Sequence, residues 1–344
     1  MIVLITGANG FLGSAVVRRL THCDLREIRC LVRPGSDRSR LASVIAESPE
    51  SNIRLVEGTL ANARSIEIAL AGVDIVFHIA AGMTGSAADL FLSSVVASKN
   101  LLEALRCQAR TRVVLISSFG VYGRPGSSSK SILTEETSLE TMPERRDLYS
   151  FAKHRQEQLF WEYREVQHFP LVVLRPGVIY GPGGSEISSR VGLSAFGLFL
   201  HLGGNNLLPL SYVDNCADAV VLAGLSETAD GQVFNVHDDD LPTCSQFLKR
   251  FRREVRRLRV LHLPFWFTRS LSGALLKYSI RSNGQLPPVL TPYKCDASWK
   301  GCRFNNSRLK ALGWQQNVST EDGLSRTFAA HREKVKQPKA QMPS

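Results

Sequence analysis

The stretch that most constrains this chain is its opening, MIVLITGANGFLG. Met1 to Ile5 is a short aliphatic run, which suits a buried parallel strand because a strand covered on both faces needs no polar alternation. Gly7, Gly10 and Gly13 then interrupt the run, and Ser14 to Leu20 carries Ala15, Val16 and Leu20 at helical spacing. Strand, glycine turn and helix follow in the order of a dinucleotide-binding βαβ unit. Gly7 permits a tight turn out of the strand, Gly10 lets backbone N–H groups approach a pyrophosphate, and Gly13 lets the helix lie close on the sheet. A glycine triplet alone describes many loops. The strand before it and the helix after it give this one its meaning.

A chain of 344 residues suits about two domains, or one α/β domain with a cap, and 44% hydrophobic with 21% charged residues is ordinary for a globular protein. The seven cysteines are widely spaced with no CxxC pair, which speaks for neither a disulfide framework nor a zinc site. No metal is expected, and a reducing, cytoplasmic location is. The first strand is too short for a signal-peptide core, and no later run reaches the roughly 18 apolar residues of a membrane span. A net charge of +11 raises nucleic acid, a membrane surface or an anionic substrate as partners. The densest basic segment is KRFRREVRRLR, Lys249 to Arg259. Phe247, Phe251, Val255 and Leu258 recur there at helical spacing, so the arginines read as the solvated face of an amphipathic helix. Neither interleaved aromatic and basic residues nor a nucleic-acid-binding motif is present, so no nucleic acid is expected as a partner.

Further strands are expected at Ile28 to Val32, Ile53 to Glu57, Val73 to Ala81, Arg112 onward, Leu171 to Leu174 and Val233 to Val236. Arg33 closes the second strand, where an arginine can pair with the 2′-phosphate of NADP and an acidic residue would instead hold the ribose of NAD. Arg33 therefore leans toward NADP, with Arg38 as the alternative phosphate partner. His78, in an apolar strand, reads as a packed core histidine. Helices are expected over Ala88 to Arg106, from Tyr149 onward and over 211 to 223. The 181–209 stretch is glycine-rich and apolar without strand alternation. Gly126 to Lys130 reads as a polar loop.

The string TGANGFLG, followed in order by RVVLISSFGVYG, YSFAK and LRPGVIYGPG, resembles the extended short-chain dehydrogenase/reductases, also called the NAD-dependent epimerase/dehydratase family. The resemblance implies a Rossmann-type doubly wound parallel α/β sheet with a smaller, mainly C-terminal cap. It implies an NAD(P)-binding domain over 1–180 with 211–237 packing back on it, a substrate cap over 181–210 and 238–331, and a disordered tail over 332–344. The cofactor contacts carried over are Gly7, Asn9, Gly10, Phe11, Leu12, Gly13, Arg33, Thr59, Leu60, Ala80, Ala81, Ser117, Tyr149, Lys153, Pro176 and Val178. Thr59 departs from the usual aspartate and Ser94 from the usual asparagine, whereas Asn100 matches.

The chemistry falls to Ser118, Tyr149 and Lys153. Tyr149 and Lys153, four apart on one helix, share a face, and an ammonium beside a phenol favours the phenolate. Ser118 would orient the substrate oxygen, Tyr149 would move its proton, and NADP or NAD would move the hydride. Phe119 and Gly120 stand where sugar dehydratases of this family carry an Asp-Glu pair, so dehydration is not expected. Phe119 offers an aromatic face instead. LLPLSYVDN, LTPY and RFNNSRLKALGW resemble the 3-beta-hydroxysteroid dehydrogenase and dihydroflavonol-reductase-like branch, and LVRPGSDRSRL resembles bacterial hopanoid-associated sugar epimerases. The reading is an alcohol/ketone oxidoreductase acting on an apolar, steroid-, terpenoid- or flavonoid-like small molecule. Its rivals are a nucleotide-sugar epimerase or reductase, with the basic-helix arginines on the diphosphate, and a non-catalytic dinucleotide-binding scaffold or sensor. The apolar segment Leu261 to Tyr278 is expected to meet a membrane surface peripherally, the cap interior or a second copy in a homodimer.

Overall fold

The structure, a computed structural model, describes residues 1–336 apart from positions 84, 107, 109, 125, 127–129, 196 and 282–289. Its centre is a seven-stranded parallel sheet built from β1 (Ile2–Thr6), β2 (Glu27–Val32), β3 (Ile53–Glu57), β4 (Ile75–His78), β5 (Arg112–Ile116), β6 (Leu171–Pro176) and β7 (Val233–Val236). The spatial order is β3-β2-β1-β4-β5-β6-β7, so the direction of winding reverses between β1 and β4. Ligands of open α/β sheets bind at the carboxyl ends of the strands at such a reversal.

The sheet is apolar throughout because both faces are covered. Alternate residues enter opposite layers: Val3 and Ile5 join one core cluster while Leu4 joins the other, and Val114 with Ile116 oppose Val113 with Leu115. The first helix, Phe11–Leu20, and the helix Val213–Leu225 cover the first face together. At the first turn Gly7 has φ +74, and a Cβ there would lie 2.9 Å from the Ala80 nitrogen. A Cβ on Gly13 would stand 2.0 Å from the Gly7 oxygen, so only glycine lets the helix start this close to the strand end.

Several expectations change. The helix expected over Ala88 to Arg106 forms as Ala87–Phe91 and Ala97–Leu105 around a π-helical turn, Leu92–Val96. Ser94 sits in that turn, fully buried, and its hydroxyl accepts from the Gly82 N–H at 2.9 Å. The 181–210 stretch contains an antiparallel pair, Gly192–Ala195 with Leu198–His201, extended in parallel by Val260–His262. The strands are only three or four residues long, too short for alternation to show, and Gly192 marks a close backbone crossing where a Cβ would meet the Leu200 oxygen at 2.1 Å.

The far C-terminal part does not stay with the cap. Arg303–Phe304 pairs with Ile132–Leu133, and Leu309 and Trp314 enter the core cluster of the main sheet, the Trp314 indole donating to the Asn215 oxygen at 3.0 Å. The last helix, Thr320–Lys336, packs Leu324 and Phe328 against Phe247 and Phe251, and it carries order into the first residues of the expected 332–344 tail. Positions 337–344 of that tail, and 127–129 of the expected polar loop, lie outside the described residues. The basic helix is Cys244–Glu254, started by a Thr243/Gln246 capping box and ending before Val255.

Candidate functional site

A single cavity of about 1340 Å³ runs from the glycine turn, over the carboxyl ends of β1, β4 and β5, to the cap. Every cofactor contact expected from the sequence lines it, from Gly7 to Val178, as do Ser118, Tyr149 and Lys153. Within the adenosine end Asn9 is fixed by its amide, which donates to the Asp37 oxygen at 2.9 Å, and Thr59 Oγ1 accepts from the Ala61 N–H at 3.2 Å. Arg38 is engaged by Glu57 at 3.1 Å, whereas Arg33 lines the cavity with no ion pair among the described residues. The expected alternative, Arg38 on a cofactor phosphate, is therefore disfavoured by its carboxylate partner.

Tyr149 is placed by the helix Leu148–Gln167, whose N-cap Asp147 accepts from the Ser150 N–H at 2.9 Å and from its hydroxyl at 2.7 Å. Ser118 comes from the turn after β5 in extended backbone, with its hydroxyl accepting from the Gly120 N–H at 3.1 Å, and it lines the cavity together with Tyr149. Burial holds the Tyr149 phenol above its ordinary pKa, with Ser118 pulling the other way. The Lys153 ammonium donates to the Ile116 oxygen and the Gln156 side chain. Burial pushes the Lys153 pKa down to about 7, against the attraction of Glu157.

Beneath the site lies a polar floor that the sequence reading missed. Glu157 and Arg175, 0% and 4% exposed, form a buried ion pair, and the Ser117 hydroxyl donates to Glu157. Ser117 thus lines the cavity with its hydroxyl already committed. Gln156 joins Lys153 to Ser98, and His78 bonds Thr6 at 2.9 Å and Ser98 at 2.9 Å. With its pKa lowered by burial to about 3, His78 is a neutral core residue. Helical spacing from Lys153 to Glu157 was the one available signal, since Arg175 comes from another strand.

The cap side also departs from expectation. Phe119 lines the cavity while only 3% exposed, and one face of its ring stacks on Phe304 at 5.5 Å. The basic helix contributes Phe247 to the cavity, while none of its arginines lines it. Arg250 is held by Glu254 and Glu321, and Arg256 by Glu186 at 2.7 Å. The arginines that do line the cavity beside Tyr149 are Arg146 and Arg190, from two loops that sequence spacing does not connect. Among the described residues there is no cluster of metal-binding side chains.

The residues fit a dinucleotide, because the cradle around Gly7 and Gly13 excludes any side chain and leaves backbone facing the cavity. Residues 3–236 match the NAD dependent epimerase/dehydratase family. Similar proteins include a 2-alkyl-3-oxoalkanoate reductase from Shewanella oneidensis, 25% identical, covering 95% of this chain and 85% of that one. A decarboxylating sterol-4-alpha-carboxylate 3-dehydrogenase from Candida albicans is 26% identical, covering 95% of this chain and 96% of its own. The fold matches UDP-glucuronic acid 4-epimerase from Bacillus cereus, solved with NAD, at a TM-score of 0.71 and 18% identity, covering 98% and 100% of the two chains. The chain belongs to the NAD-dependent epimerase/dehydratase family, and so to the extended short-chain dehydrogenase type of enzyme.

Proposed function

We propose that this protein is an NAD(P)-dependent oxidoreductase interconverting an alcohol and a ketone on a substrate with an apolar body. The observation that carries the reading is that Ser118, Tyr149 and Lys153 line one cavity together with the glycine turn Gly7 to Gly13. A bound nicotinamide supplies or accepts the hydride. Ser118 holds the substrate oxygen, Tyr149 gives or takes the proton on it, and Lys153, at the cavity wall, supports the tyrosine and holds the cofactor ribose. Ile187, Leu208, Leu210 and Phe247 supply the apolar wall on the cap side. The two curated relatives named above act, by their names, on an alkanoate and on a sterol, both largely apolar. A nucleotide-sugar reading loses the diphosphate partners expected for it, since none of the basic-helix arginines lines the cavity. The test is to incubate the protein with fractionated cell extract and follow nicotinamide absorbance. A signal that Tyr149→Phe abolishes supports the reading, and one that survives it overturns the assignment.

Arg33 favours NADP(H) in this reading, because it directly follows β2 and lines the cavity without a carboxylate partner among the described residues. Arg33→Ala should erase a preference for NADP(H) over NAD(H) in direct binding, and equal binding by the unaltered protein would reject it.

The reading extends to an anionic membrane surface. Trp266, Phe267, Leu271, Leu275, Tyr278 and Ile280 are all exposed on the helix Phe265–Arg281. No acidic residue occurs between Glu254 and Asp296, whereas Arg256, Arg257, Arg259, Arg269, Lys277 and Arg281 do. Apolar anchors among cations complement anionic headgroups. No helix among the described residues is long and apolar enough to cross the bilayer, so contact would be peripheral. Co-sedimentation with phosphatidylserine vesicles at low salt, lost at high salt, is the expected result. Self-association without vesicle binding would assign the face to a homodimer instead.

A further inference from the structure

We infer that the cavity contains a carboxylate-binding subsite built on Arg190, so that the substrate is a hydroxy or oxo acid with an apolar tail. The inference rests on the oxidoreductase reading and specifies its substrate.

Arg190 lies in the loop between Val178–Tyr180 and Gly192–Ala195, and it lines the cavity. Its backbone is pinned. The Arg190 oxygen accepts from the Cys244 thiol at 3.6 Å, its N–H donates to the Ser188 hydroxyl at 3.3 Å, and the preceding Ser189 oxygen accepts from the buried Trp299 indole at 3.1 Å. The guanidinium, by contrast, makes no ion pair or hydrogen bond among the described residues. The positions outside the described residues contain no aspartate or glutamate that could neutralise it. A half-buried arginine without a counter-ion is costly, which makes its persistence in a cavity wall a pointer to an anionic ligand.

The charged groups that act on Arg190 are Arg146 and Asp147, which lie shortly before Tyr149 in the chain. Burial first and the Arg146 cation next make the charged guanidinium less favourable than usual. Arg146 has its own partners, the Tyr122 oxygen at 3.1 Å and Glu140 at 3.5 Å. Asp147 is spent on the helix cap. The guanidinium donors of Arg190 therefore stay open to an anion, and they present the parallel pair that a carboxylate accepts. Arg190 and Tyr149 line the same cavity, so the carboxylate and the reacting oxygen belong on one molecule.

The probes are decanoate and decan-1-ol, titrated calorimetrically into the cofactor-loaded protein, with 3-hydroxydodecanoate as the turnover probe. Decanoate should bind more tightly than decan-1-ol, and Arg190→Met should weaken decanoate roughly 10- to 100-fold while leaving decan-1-ol and cofactor affinity unchanged. Arg190→Lys should restore part of the loss. Equal decanoate affinity in the unaltered and Arg190→Met proteins, or no preference of the unaltered protein for decanoate, overturns the subsite. Tyr149→Phe should keep decanoate affinity while blocking nicotinamide reduction by 3-hydroxydodecanoate. Failure of the oxidoreductase reading would thus show in absorbance and failure of the subsite in calorimetry.

Discussion

The half of the molecule around the glycine turn and the cap above it are held together differently. In the first, position depends on backbone: a positive φ at Gly7, a Cβ-free approach at Gly13, and parallel strands that send alternate side chains into two core layers. In the cap, short strands and helices are fixed by individual side chains, such as Trp299 on the Ser189 oxygen and Asn206 on the Trp299 oxygen at 2.6 Å. The cap also leaves the helix Phe265–Arg281 with much of its apolar side uncovered. Backbone requirements restrict the residue type at a position, so they constrain what can bind there. A surface built from side chains can be rewritten one residue at a time.

The sharpest break in that comparison is chemical. Tyr149→Phe should lower turnover by about 10²- to 10⁴-fold, the usual worth of a positioned acid or base, with cofactor affinity unchanged in a binding titration. Next in size is the floor below the sheet end. Glu157→Ala leaves Arg175 buried without its partner and should cost about 3–5 kcal/mol in chemical denaturation, a loss felt in the cofactor half.

Lys153 separates the halves by pH. Its pKa in the folded, cofactor-free protein is about 7 against an ordinary value of 10.5, so the unfolded chain binds more protons between those values. Stability should therefore rise with pH across that window, and the part contributed by Lys153 is lost as pH falls back toward 7. Lys153→Met should flatten this rise in denaturation curves measured across the window. A slope unchanged by the substitution would mean that Lys153 is solvated.

The smallest effect tests the cap. Trp266 is 69% exposed, so Trp266→Ala should change stability by no more than about 0.5 kcal/mol while weakening vesicle binding. A large destabilisation would show that this helix face is covered in the folded protein.

The sequence alone determined the strand, turn and helix at the start and the parallel sheet, and the family resemblance it carries named residues from Gly7 to Val178 that line one cavity. The first two rest on local rules: glycine where no Cβ fits and continuous apolar runs where both faces are covered. Tertiary structure decided what depends on residues far apart in the chain. It brought Arg190 into one cavity with Tyr149, set Arg175 against Glu157, turned Lys153 toward Ile116, and stacked Phe119 on Phe304. It also returned Leu309 and Trp314 to the main core, although the sequence around them reads as cap. A side chain's partner on another element leaves no periodicity to read, so only the folded chain could assign it.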